Sequence, residues 1–114
     1  MDQRLKGKIA IVTGAGQTPG DTVGNGRATS ILFARAGAKV LLGDHHPGSA
    51  RETQDIIAKE GGESVAFAAD VTQADDCRRM ADTCAQTFGR IDILVNNVGI
   101  GGEDHGPVHP WYFF

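Results

Sequence analysis

Cysteine is scarce: Cys77 and Cys84 are the only two in 114 residues. On one helix their Cα atoms would stand roughly 10 Å apart at about 1.5 Å rise per residue, beyond the ~7 Å that a disulfide can bridge. Seven residues is about two helical turns, so they read as free thiols on or near one buried stripe. Long hydrophobic runs are also missing. The longest, such as Ile9–Val12, fall far short of the ~20 apolar residues that cross a bilayer. The opening Met1-Asp2-Gln3-Arg4-Leu5-Lys6 has no apolar core for a signal peptide, so a cytoplasmic location is expected. No Lys/Arg block or stripe occurs, and the formal charge is −3. Neither a nucleic acid nor a membrane surface is therefore an expected partner. His45 and His46 have no Cys or His partner at zinc-site spacing, and no metal is expected. Internal repeats and low-complexity tracts are absent too.

What is present is Ala, Val, Ile and Leu in short runs, with 16 glycines between them. Lys8–Val12 is an apolar run that reads as a strand buried on both faces. A helix follows from Gly26 to Ala36, with Gly37 as its stop. Lys39–Asp44 reads as a second strand ending on a carboxylate. Ser49 to Glu60 reads as a second helix, with Ile56, Ile57 and Ala58 toward the sheet and Gly61-Gly62 closing it. Ser64–Ala68 is a third strand, closed by Asp70. Thr72 is the expected N-cap of a third helix, with Asp75 in the capping-box position, and the helix runs to Phe88 before Gly89. Ile91–Val95 is a fourth strand leading into Asn96-Asn97-Val98-Gly99.

Strands alternating with helices imply an α/β fold, a Rossmann-type doubly wound parallel sheet of about four strands. The expected order is 3-2-1-4, with the second half of such a sheet missing. The domain is expected to occupy residues 1–100. Residues 101–114 read as a loop and an aromatic tail, Trp111-Tyr112-Phe113-Phe114.

The segment Thr13 to Gly26 joins the first strand to the first helix and is rich in glycine. A pyrophosphate needs close backbone approach and free N–H groups at a helix N-terminus. Gly24 and Gly26 would supply the approach, and Gly14 the tight turn after the strand. The alternative is a surface loop of ordinary turn chemistry, for which Gln17 to Thr22 are suited. Asp44 lies eighteen residues beyond Gly26, near the usual spacing of about twenty for a carboxylate that binds a ribose 2′-hydroxyl. A 2′-phosphate there would meet a like charge, which favours NAD over NADP. Asp44 could instead cap the entry to the helix at Pro47, and a protonated His45 or His46 could offset a phosphate.

Thr13-Gly14, Gly24-Asn25-Gly26, Asp44, Asp70-Val71 and Asn96-Asn97-Val98-Gly99, in that order, resemble the short-chain dehydrogenases/reductases from about Leu5 to Ile100. The family's glycine motif is Thr-Gly, three residues, Gly, one residue, Gly. Here nine residues, Ala15 to Val23, separate Gly14 from Gly24, so the loop is about six residues longer. Val98 stands where the family has Ala. The resemblance implies a cofactor site of Gly14, Gly24, Asn25, Gly26, Asp44, Asp70, Val71, Asn97 and Gly99. Asp70 would accept from the adenine amine and Val71 would offer its main chain. Asn97 would reach the cofactor ribose region, and Asn96 would tie neighbouring strands together.

Alcohol or ketone chemistry needs a proton donor or acceptor beside the hydride path. The family resembled uses a Tyr with a Lys four residues later and an upstream Ser. The single Tyr is Tyr112, and Lys6, Lys8, Lys39 and Lys59 all precede it. No position here inherits a catalytic role. The expectation is the NAD-binding portion of a longer hydride-transferring enzyme whose parent is a homo-oligomer. The alternative is a stand-alone dinucleotide-binding module without catalysis.

Overall fold

The computed structural model describes residues 3–16 and 25–97. Its elements in chain order are β1 (Ile9–Thr13), α1 (Asn25–Arg35), β2 (Lys39–Asp44), α2 (Pro47–Lys59), β3 (Ser64–Ala68), α3 (Ala74–Phe88) and β4 (Ile93–Asn96). The four strands form one sheet in the order β3-β2-β1-β4. Every pair is parallel, with Ile11 opposite Leu41 on one side and Leu94 on the other. The expected order and the α/β architecture are therefore observed.

Both faces of the sheet are covered, which is why β1 is apolar at consecutive positions and buried along its whole length. Side chains alternate between the two layers, as a period of two demands. Val12, Val40 and Leu42 pack with Ala50 and Ile57 on the side of α1 and α2. Ile9, Ile11 and Leu41 pack with Met80 and Cys84 on the side of α3. Leu41 and Leu42 are fully buried, worth about 1.5–3 kcal/mol each in transfer free energy. Both cysteines are free thiols; Cys84 is buried, and that burial raises its pKa.

Glycine ends the helices as expected. Gly37 turns left-handed at φ +102, where its N–H reaches the Ala34 carbonyl at 3.0 Å and the next N–H reaches Phe33. Gly89 does the same after α3, donating to Ala85 at 2.8 Å.

Four boundaries and faces differ from the sequence reading. α2 begins at Pro47 rather than Ser49, because the proline ring is pre-set for the first helical position. Within α2 the buried positions are Ala50, Thr53 and Ile57, at helical spacing; Ala58 is exposed. α3 starts one residue later than a Thr72 cap would place it, with Gln73 as N-cap. The Thr72 hydroxyl turns back to Asp70 Oδ1 at 2.6 Å, and the carboxylate that reaches back from the first turn is Asp76, not Asp75. Asp75 faces solvent beside Arg78. Finally, β4 is Ile93–Asn96, and Ile91 is exposed. Asp92 fills the gap before it: its carboxylate accepts the Ile9 N–H at 2.8 Å while its own N–H donates to the Ile9 carbonyl.

Candidate functional site

All the expected site residues that the structure describes lie at the carboxyl end of the sheet. There, strand order turns back at β1, which has β2 on one side and β4 on the other. In open α/β sheets, such a reversal leaves a crevice beyond the strand ends.

Gly14 leaves β1 at φ +63, a conformation that suits glycine. Gly26, at the start of α1, is buried directly against it. A Cβ on Gly26 would overlap the Gly14 carbonyl oxygen and stand 3.0 Å from the Asn97 amide nitrogen. Gly26 therefore has a packing role beside the one read for it from sequence, backbone approach to a phosphate. Its missing side chain lets α1 seat against the turn after β1 and against Asn97. Asn25 is exposed at the helix start. Gly24, Gly99 and the remainder of the lengthened loop around Pro19 lie outside the described residues, as does 101–114.

Asp44 ends β2 and is 9% exposed. Its Oδ2 accepts the Gly16 N–H and its Oδ1 the His46 N–H, each at 2.7 Å. Helix entry and loop anchoring thus use the same carboxylate. Each oxygen retains a second lone pair for a ligand hydroxyl. His45 and His46 are exposed beside it, their rings edge to face at 5.0 Å. Among the described residues no three His, Cys, Asp or Glu side chains gather to hold a metal.

One strand further out, Asp70 Oδ1 accepts both the N–H and the hydroxyl of Thr72, at 2.9 and 2.6 Å. These bonds, the hydroxyl first, hold the Asp70 pKa below the usual carboxylate value. Asp76 is lowered as well, first by the N–H of Asp70 and then by Arg79. The Val71 carbonyl accepts the Cys77 thiol at 3.5 Å.

On the other flank, Thr13 joins β1 to β4. Its buried hydroxyl donates to Asn96 Oδ1 at 2.8 Å and accepts the Asn97 N–H at 2.9 Å. Asn96 therefore does tie the strands together, and Thr13 is what it ties to. Sequence reasoning assigned Thr13 no role. The available signal was a hydroxyl ending an otherwise apolar buried strand. Arg27 and Thr53 were likewise missed. Arg27 Nε donates to Thr53 Oγ1 at 2.9 Å, and Thr53 reaches the Ala15 carbonyl at 2.9 Å. No local pattern marks that chain of contacts.

The strand order, the reversal at β1 and the glycine turn onto α1 define a Rossmann-type nucleotide-fold domain. The chain matches the short chain dehydrogenase family over residues 8–110, and it belongs to that family of NAD(P)-dependent oxidoreductases. It is 39% identical over 108 residues to the uncharacterized oxidoreductase YxbG of Bacillus subtilis, covering 95% of this chain and 37% of that one. It is 40% identical over 99 residues to the 7alpha-hydroxysteroid dehydrogenase of Escherichia coli, covering 87% and 36%. The crystal structure of a hydroxysteroid dehydrogenase from Escherichia coli superposes with a TM-score of 0.81 at 37% identity, over 94% of this chain and 43% of that one. The chain thus spans a little over a third of the length of these curated relatives.

Proposed function

We propose that this chain is the dinucleotide-binding portion of an NAD-preferring oxidoreductase that moves a hydride between NAD and an alcohol or ketone. The observation that carries the reading is Asp44, a nearly buried carboxylate at the carboxyl end of β2, beside the turn that leads to the N-terminus of α1. A ribose hydroxyl can donate to it, whereas a 2′-phosphate would face a fixed negative charge with little water between. Around it, the first turn of α1 after Asn25 and Gly26 supplies free N–H groups for the pyrophosphate. Thr72 occupies Asp70 Oδ1, and Asp70 Oδ2 with the Val71 main chain would meet the adenine edge. Asn97, at the end of β4 and beside Gly26, would meet the cofactor ribose region. Gly14 shapes the turn, and Gly24 and Gly99 complete the set. When bound, the cofactor supplies the hydride chemistry at its nicotinamide ring; the residues of this chain bind and orient it.

The test is calorimetric titration of the folded chain with NAD and with NADP. The expected result is saturable binding that is tighter for NAD. Heat indistinguishable from dilution into buffer would remove the proposal, and tighter binding of NADP would remove its account of Asp44.

A further inference from the structure

The turn after β1 is held from below as well as from the strand. Ala15 donates its N–H to the Gly43 carbonyl at 3.1 Å, and Gly16 donates to Asp44. The Ala15 carbonyl is satisfied by α2, through the fully buried hydroxyl of Thr53. A hydroxyl has one proton. The Ala15 carbonyl at 2.9 Å takes it in preference to the Ser49 carbonyl one turn back at 3.3 Å. The lone pairs of the same oxygen receive Arg27 Nε. Arg27 lies in the first turn of α1, its side chain only 12% exposed, and its Nη2 also donates to the Ser49 carbonyl at 3.1 Å. Glu52 pairs with it at the surface.

One threonine on α2 therefore grips both the turn after β1, at Ala15, and the first turn of α1, at Arg27. Fixing these two segments relative to each other is the step that the neighbouring helix can supply.

We propose that Thr53 is a positioning residue, and that with Arg27 it sets the separation of the turn after β1 and the α1 N-terminus at which a dinucleotide binds. The proposal rests on the dinucleotide reading of the same site. Thr53 touches no ligand; it acts through Ala15 and Arg27. Thr53→Val keeps the shape and removes the hydroxyl, so that the Ala15 carbonyl and Arg27 Nε each lose one partner. Thr53→Ser restores the hydroxyl. Ile57→Val, one turn further along α2 in the core, is a stability control that leaves both contacts alone.

The experiment measures NAD affinity, melting temperature and amide hydrogen exchange at Ala15 and Gly16 for the full chain and the three variants. Thr53→Val is expected to weaken NAD binding about tenfold, the scale of one lost hydrogen bond. It should also speed exchange at both amides. Thr53→Ser should bind within about twofold of the parent, on the scale of a perturbed rather than a lost hydrogen bond. Ile57→Val should lower the melting temperature without moving either readout. Parent-like NAD affinity in Thr53→Val would overturn the proposal while leaving the dinucleotide reading intact. So would an affinity loss in Ile57→Val that tracks its melting temperature as it does in Thr53→Val, since the threonine would then be merely structural. A parent chain that binds no NAD would overturn the dinucleotide reading and the proposal with it.

Discussion

Asp44 carries two loads at once, because one carboxylate holds the Gly16 N–H and the His46 N–H in a nearly dry setting. Replacing it with Ala should narrow the free-energy gap between NAD and NADP by about 1–3 kcal/mol, the value of a ribose hydrogen bond to a charged acceptor. Parallel titrations of both cofactors measure the gap; an unchanged ratio would pass the selectivity to His45 or His46. Gly26 makes a separate prediction. Gly26→Ala forces α1 away from the Gly14 carbonyl and should cost about 1–3 kcal/mol, as overpacking does. Urea denaturation measures it, and a midpoint equal to the parent's would show that the helix start adjusts freely. Asp44 and Gly14 were legible in the sequence because each follows an apolar strand, and strand ends are where such residues have work to do. Thr53 was not: its partner Ala15 is 38 positions away, and a threonine inside a mixed helix has no local signature. The part Gly26 plays was half legible. Its place at the helix start could be read, but the backbone pressed against it came only with the packing.

The elements are stitched at their ends by carboxylates, and this makes their stability depend on pH. Asp92 is held below the usual carboxylate pKa first by the Ile9 N–H and then by Arg90. Asp70 and Asp76 are lowered by the bonds that start α3. A carboxylate whose pKa is lower folded than unfolded binds fewer protons in the native state. Its contribution is complete above the unfolded pKa and fades as pH falls through the folded one. Melting temperature should therefore vary little with these groups from neutrality to about pH 5 and fall below about pH 4. In the double variant Asp76→Asn, Asp92→Asn that acid limb should be shallower. An equally steep limb would mean that these bonds do not differ between the folded and unfolded chain. Strand and helix identities were legible from periodicity, and glycine stops from their conformational freedom. The start of α3 was misread because Thr72, Asp75 and Asp76 are all competent cap residues. Only the observed bonds of Thr72 to Asp70, and of Asp76 to the Asp70 N–H, decide among them.

Across the whole molecule the sheet is asymmetric. Among the described residues β4 has one strand neighbour, β1, and Leu94 is 37% exposed while Leu32 on α1 is 60% exposed. A parallel edge strand with exposed apolar side chains invites pairing with another chain. The 114-residue chain should therefore self-associate in solution, and Leu94→Lys should shift it toward monomer. Light scattering across a concentration series checks this, and a parent that stays monomeric at high concentration would refute it. The sequence by itself determined the layered α/β class, the strand order, the carboxyl-end placement of Gly14, Asp44, Asp70 and Asn97, and the family. Those follow from local periodicity, from residue types at strand ends, and from the handedness of crossovers. Tertiary structure alone decided that Gly26 faces Gly14 and Asn97, that Thr13 ties β1 to β4, and that α2 grips the turn after β1 and the first turn of α1 through Thr53. The physical reason is common to all three. Each is a contact between segments distant in the chain, and a contact of that kind leaves no period or spacing to read.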